Sequence, residues 1–143
     1  MNKMSSVLFA LTLAAPLMGP GPGAAEGALA IGSTGNVVDA GIAIGNAYNY
    51  ATREEAVAAA LQKCHDYKAA PRAARECMII GTYSGQCYSE ALDPKAGTPG
   101  AGWAVATNQD DASSFALGSC RATAGASRRD FCKVVDSGCD TKN

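Results

Sequence analysis

Histidine is nearly missing from this chain: His65 is the only one among 143 residues. The six cysteines contain no C-x-x-C pair. Both shortages argue against zinc, whose protein sites draw on closely spaced cysteines and histidines. Aromatic residues make up only 6% of the chain, with a single Trp. A core built from so little bulk is thin and needs covalent help. A charge excess of either sign is missing too, since the formal net charge is −1. That balance points neither to nucleic acid nor to an anionic membrane surface. Finally, no apolar run approaches the roughly 20 residues that cross a bilayer.

What is present begins with a leader. Met1 to Ser6 is short and polar and carries Lys3; Val7 to Met18 is a dozen-residue apolar stretch. Pro16 and the run Gly19-Pro20-Gly21-Pro22-Gly23 close it. Small residues at Gly23 and Ala25 suit a signal peptidase, so residues 1–25 are expected to be a signal peptide cut after Ala25. No cysteine follows the apolar stretch before Cys64, which argues against a lipid anchor. The mature part, residues 26–143, is the size of one domain. Losing Lys3 leaves it with eleven basic and thirteen acidic residues, a charge near −2. It has no transmembrane segment, and the protein is expected in the periplasm or outside the cell.

All six cysteines lie in that mature part: Cys64, Cys77, Cys87, Cys120, Cys132 and Cys139. After an export signal, an even count reads as a disulfide framework, with about 15 connectivities open from sequence alone. The cysteines also fall into two triplets, and an alanine-rich helical pattern precedes each. Ala56, Ala60, Leu61 and Cys64 match Ala112, Ala116, Leu117 and Cys120 at a constant offset of 56. Thr52 with Glu55 forms a capping box, and Asn108 with Asp111 is its analogue at the same offset. The chain is therefore read as two degenerate β-β-α-β repeats, about 27–85 and 86–139. The predicted strands of the first are Gly27 to Ile31, Val37 to Gly45 and Cys77 to Tyr83. Those of the second are Cys87 to Leu92, Gly102 to Thr107 and Phe131 to Asp136, with a helix from Asp110 to Cys120. The fold class is α+β, antiparallel sheet with two helices, stapled by disulfides.

This order of alanine-rich helix, terminal cysteine, CMII-type strand, turn, cysteine and small-residue strand, then Trp103 and a second round, resembles the bacterial secreted domain-of-unknown-function family 4189. The resemblance covers about residues 27–139. Ser113, Ser114 and Gly118 make the second helix weaker than the pattern. The resemblance implies export, disulfides and an internal repeat, and it implies no activity.

Equal repeats should make equal local bridges, so Cys64 is paired with Cys77 and Cys120 with Cys132, leaving Cys87 for Cys139. A bridge from Cys132 to Cys139 is the competing scheme. Once oxidised, Cys64 beside His65 offers no nucleophile. His65 and Asp66 diverge by about 100° on a helix and cannot form a dyad. Glu54, Glu55, Asp110 and Asp111 fall at helix starts, where acids serve caps and the helix dipole. Arg72, Arg75, Arg128 and Arg129 read as solvated loop charges. Gly97 to Gly102 runs into a strand with no lysine behind it, so it is a connecting loop rather than a phosphate cradle. No catalytic residue, metal or cofactor is assigned. Tyr48, Tyr50, Tyr83 and Tyr88 form the candidate binding surface, since tyrosine is enriched at recognition sites; core packing is the competing reading, favoured for Trp103 and two of the tyrosines. The expected function is non-enzymatic binding of an unknown protein or cell-envelope component. The alternatives are a carboxylate hydrolase acting on wall or surface polymer, and an effector delivered to another cell.

Overall fold

The computed structural model of the protein describes residues 25–140, and all structural statements concern those residues. Apart from Ala25, the expected signal peptide lies outside them. In chain order the elements are β1 (Glu26–Gly32), α1 (Val37–Ala40), β2 (Ala43–Tyr50), α2 (Arg53–His65), β3 (Cys77–Ser84), β4 (Cys87–Leu92), β5 (Ala101–Ala106), α3 (Gln109–Ala124) and β6 (Lys133–Cys139). Short 3₁₀ turns at Ala73–Glu76 and Arg129–Phe131 lead into β3 and β6. The fold is α+β.

The antiparallel strands make two three-stranded sheets, ordered β2-β1-β3 and β5-β4-β6. Each half of the chain thus places its first strand at the centre, its hairpin partner on one side and its returning strand on the other. The registers also slip at matching places, between Leu29 and Ala30 on β1 and between Glu90 and Ala91 on β4. These slips leave Ile80 and Val135 as the extra residues in β3 and β6.

One expected strand is corrected. Val37 to Gly45 is not continuous: Val37–Ala40 is a helical turn, and β2 begins only at Ala43. Its β-branched residues favour a strand, but local capping prevails. Asn36 Oδ1 accepts from the Asp39 amide at 3.2 Å and Asn36 Nδ2 donates to Asp39 Oδ2 at 2.6 Å. Gly41, at φ 72°, then stops the turn in a conformation that suits glycine.

The two long helices start as their caps dictate. Thr52 Oγ1 accepts from the Glu55 amide at 3.2 Å, and Asn108 Oδ1 from the Asp111 amide at 2.9 Å. Their buried stripes are Ala56, Ala60 and Cys64 on α2 and Ala112, Ala116, Cys120 and Ala124 on α3. α2 lies on the first sheet against Ala28, Ala30, Ala43 and Ala47. α3 lies on the second, against Ala91. Alternation along β1 turns Leu29 and Ile31 to the opposite face, where they meet Ile44 of β2 and Leu92 of β4. The sheets therefore pack face to face with a helix outside each, in four layers.

Alanine layers bring elements close but bury little area per residue. Three disulfides compensate. Cys64–Cys77 and Cys120–Cys132 each tie a helix to the return strand or the turn before it, at separations of 13 and 12 residues. Loops of that size are each worth about 3 kcal/mol in the chain-entropy picture. Cys87–Cys139 joins directly opposed residues of β4 and β6, 52 residues apart in sequence.

Candidate functional site

The four tyrosines do not share one surface. Tyr83 is 5% exposed and Tyr88 fully buried, so both are corrected from binding surface to interior. Tyr48 is 36% exposed and Tyr50 half-buried. The physical reason is the second sheet. The facing sheet covers Tyr83 and Tyr88, a layer that strand alternation alone does not reveal. Trp103 is corrected in the opposite sense: 36% of it is exposed.

Between the sheets, the buried tyrosines meet polar groups. Tyr83 Oη donates to Asn46 Oδ1 at 2.6 Å and lies 3.1 Å from the Ala47 carbonyl. Tyr88 Oη donates to Asp136 Oδ2, and its ring leans on Tyr48 with centroids 6.3 Å apart. Burial first, then nearby carboxylates, push the Tyr83 hydroxyl well above the ordinary phenol range. Burial and the bond to Asp136 do the same for Tyr88. Both stay protonated donors.

An acid sits in the middle of this layer. Glu90 is 6% exposed; its strand neighbours are Trp103 on β5 and Asp136 on β6. Burial, with the Asp136 carboxylate as second cause, raises its pKa to about 7. Sequence reading passes over Glu90 because nothing local marks it. The one available signal is its place between Tyr88 and Leu92 in an alternating strand whose inward positions are otherwise apolar. A raised acid opposite a second carboxylate is a chemically capable pair, yet neither residue lines a groove.

The accessible apolar ground lies at the edge of the sandwich, where β3 and β5 face each other. A groove of about 320 Å³ runs between them, with Leu29 and Tyr83 on the first sheet side and Trp103 and Val105 on the second. Ile80, Gly81, Thr82 and Gln86 complete the lining, which contains no charged side chain. Ile80 is 42% and Val105 36% exposed, with Met78 on the same strand at 64%. A second groove of about 570 Å³ is shaped by α1, by residues 69–72 and by the Leu92 to Ala101 loop. Its wall holds Asp93, which Arg128 grips through two bonds of 2.7 and 2.5 Å, holding the carboxyl far below the usual range. The Arg128 guanidinium also stacks over Phe131 at 4.2 Å. Arg128 is thus a structural clasp, not a solvated charge.

The remaining sequence candidates take structural places. Glu54, Glu55, Asp110 and Asp111 stand in the first turns of α2 and α3. His65 is exposed in the last turn of α2, its Nδ1–H donating to the Ala74 carbonyl at 2.7 Å. All six cysteines are bridged, so none is a free thiol. Among the described residues, no three His, Cys, Asp or Glu side chains gather to hold a metal ion. No described helix is long and apolar enough to cross a membrane.

Asp140 is a buried acid of another kind. Its carboxylate accepts from the Asn49 amide at 2.9 Å and the Gly85 amide at 3.2 Å. Those residues hold left-handed conformations, φ 64° and 62°. Asp140 therefore ties the segment after β6 to the irregular end of β2 and to the turn between β3 and β4.

No curated protein and no solved structure matches the chain. Residues 27–139 match the domain-of-unknown-function family DUF4189, and the chain belongs to that family.

Proposed function

We propose that this protein is an exported, disulfide-stabilised domain that acts by binding, and that its contact surface is the groove between β3 and β5. The observation that carries this is Trp103, which stands 36% exposed on a groove wall without a single charged lining residue. Tryptophan in an apolar pocket is a common anchor of binding energy. The partner is a protein or cell-envelope component met in the periplasm or outside the cell, where three disulfides persist. Tyr48 and Tyr50 lie on β2, at the other edge of the first sheet, and are not part of this surface.

The test is direct. Immobilised oxidised protein should retain an envelope or medium component that Trp103→Ala and Val105→Ser variants release, with their unfolding midpoints preserved. Intact mass of the protein recovered from the cell envelope or medium should match a chain starting at Glu26 and lacking six cysteine hydrogens. Recovery of full-length reduced protein from the cytoplasm only would refute export.

A second reading has one observation in its favour. Glu90, raised to about 7, faces Asp136 on the next strand with Trp103 on its other side. The binding reading is abandoned if purified oxidised protein hydrolyses a wall polymer and Glu90→Gln abolishes turnover with the fold intact.

A further inference from the structure

The sandwich has four edge strands, β2, β3, β5 and β6. An edge strand presents unpaired backbone N–H and C=O groups, and native proteins blunt such edges with charges, proline, bulges or a covering element. Three of the four carry a charge or a covering side chain. On β2, Lys63 reaches over from α2 and donates to the Asn46 carbonyl at 2.7 Å. On β5, the Thr123 hydroxyl of α3 accepts from the Ala101 amide at 3.0 Å and donates to the Ala101 carbonyl at 2.9 Å. β6 carries Lys133 and Asp136. β3 reads CMIIGTYS: apart from the bulge at Ile80 it has neither charge nor proline. Among the described residues, no side chain bonds to its outer edge. It also carries the exposed Met78 and Ile80, and it forms one wall of the uncharged groove.

Resting on the reading that the β3–β5 groove is the contact surface, we infer that the partner is an extended polypeptide segment with uncharged, alternating apolar side chains, which pairs with β3 as an added strand. The bare edge supplies main-chain hydrogen bonds, and the groove receives every second side chain, beside Ile80 and Trp103. Charge selects the class: a lining without a cation offers nothing to an acidic polymer, and one without a carboxylate nothing to a basic peptide. The slip in the β1–β3 register at Ile80 turns that side chain out at the groove, where an added strand would meet it.

The probe is a blocked peptide, acetyl-Ser-Val-Thr-Val-Thr-Val-Ser-amide, titrated into the mature oxidised protein. Two signals are followed: fluorescence of Trp103, the only tryptophan in the chain, and hydrogen exchange of the β3 amides. The expected result is a Trp103 emission shift together with new protection along β3. N-methylation of the peptide on both edges should weaken binding about tenfold or more, the loss of one to two hydrogen bonds. A Met78→Lys/Ile80→Lys variant should show the same loss; the methylated peptide decides the matter should that variant fold poorly. Equal binding of the methylated peptide, with a Trp103 shift and no protection on β3, would overturn strand addition while leaving the groove as the contact surface. No Trp103 shift with either peptide would overturn the strand partner, and the Trp103→Ala capture experiment would then judge the groove by itself. A concentration-dependent dimer with β3 protected in the absence of peptide would place a second copy on this edge and also overturn the inference.

Discussion

Gly45 on β2 and Gly102 on β5 hold the same position beneath their helices. A Cβ on Gly45 would stand 2.1 Å from the Ala60 carbonyl oxygen and 2.3 Å from the Cys64 amide nitrogen. On Gly102 it would stand 2.3 Å from the Ala116 carbonyl oxygen and 2.4 Å from the Cys120 amide nitrogen. Both helices therefore rest backbone on backbone, which is what an alanine stripe allows.

That contact sets the first prediction. Gly45→Ala and Gly102→Ala should each destabilise the domain by about 1–3 kcal/mol, because rigid backbone must move to admit the methyl group. Gly118→Ala is the control: it lies in the exposed interior of α3 with nothing within 4 Å of a new Cβ. It should stabilise by about 0.5–1 kcal/mol through helix propensity. Urea unfolding of the three variants checks both signs.

Asp140 provides the second. Replacing it with alanine leaves the Asn49 and Gly85 amides without their acceptor, at a cost of about 2 kcal/mol. Asp140→Asn keeps one acceptor oxygen and should lose less. Hydrogen exchange at those two amides should quicken in the alanine variant before any change appears in α2.

Glu90 makes stability depend on pH. Its folded pKa of about 7 exceeds the ordinary glutamate value of 4.5, so between these values the folded chain holds more protons than the unfolded one. Stability should therefore fall as pH rises from about 4.5 to about 7, by an amount on the order of 3 kcal/mol at full shift. Glu90→Gln should flatten that part of the profile and be the more stable protein at pH 8. Asp93 acts with the opposite sign. Arg128 depresses its pKa, so its contribution is present above the ordinary carboxylate range and fades as pH falls below it. Denaturant midpoints measured from pH 3 to pH 8 would separate the two groups.

The bridges should not be equal. Cys87–Cys139 closes 52 residues, against 13 and 12 for the others. Replacing both its cysteines with alanine should cost about 4 kcal/mol, and each local pair about 3 kcal/mol. Thermal unfolding of the three double variants gives the order.

Near-neighbour physics was legible in the residues. Helix starts at Thr52 and Asn108, the alanine stripes at period 3.6, the offset of 56 and the strand cores all depend on groups within a few positions of one another. α1 escaped that reading: the β-branched valines Val37 and Val38 read as strand, and the Asn36 cap and the Gly41 stop outweigh them in the fold. Pairing between distant segments was another matter. Alternation along β4 divides Tyr88, Glu90 and Leu92 from Ser89 and Ala91, yet it cannot say which face a second sheet will cover. For that reason the burial of Tyr83 and Tyr88 was not legible, and Trp103, on the same face as its partner Glu90, stays partly exposed where edge strand β5 lines the groove. Glu90 became a raised acid because the facing sheet buried it, and because Asp136, 46 positions later in the chain, arrived beside it on the next strand. Charge proximity needed only β4 and β6 to pair within one sheet, whereas burial needed the two sheets to meet.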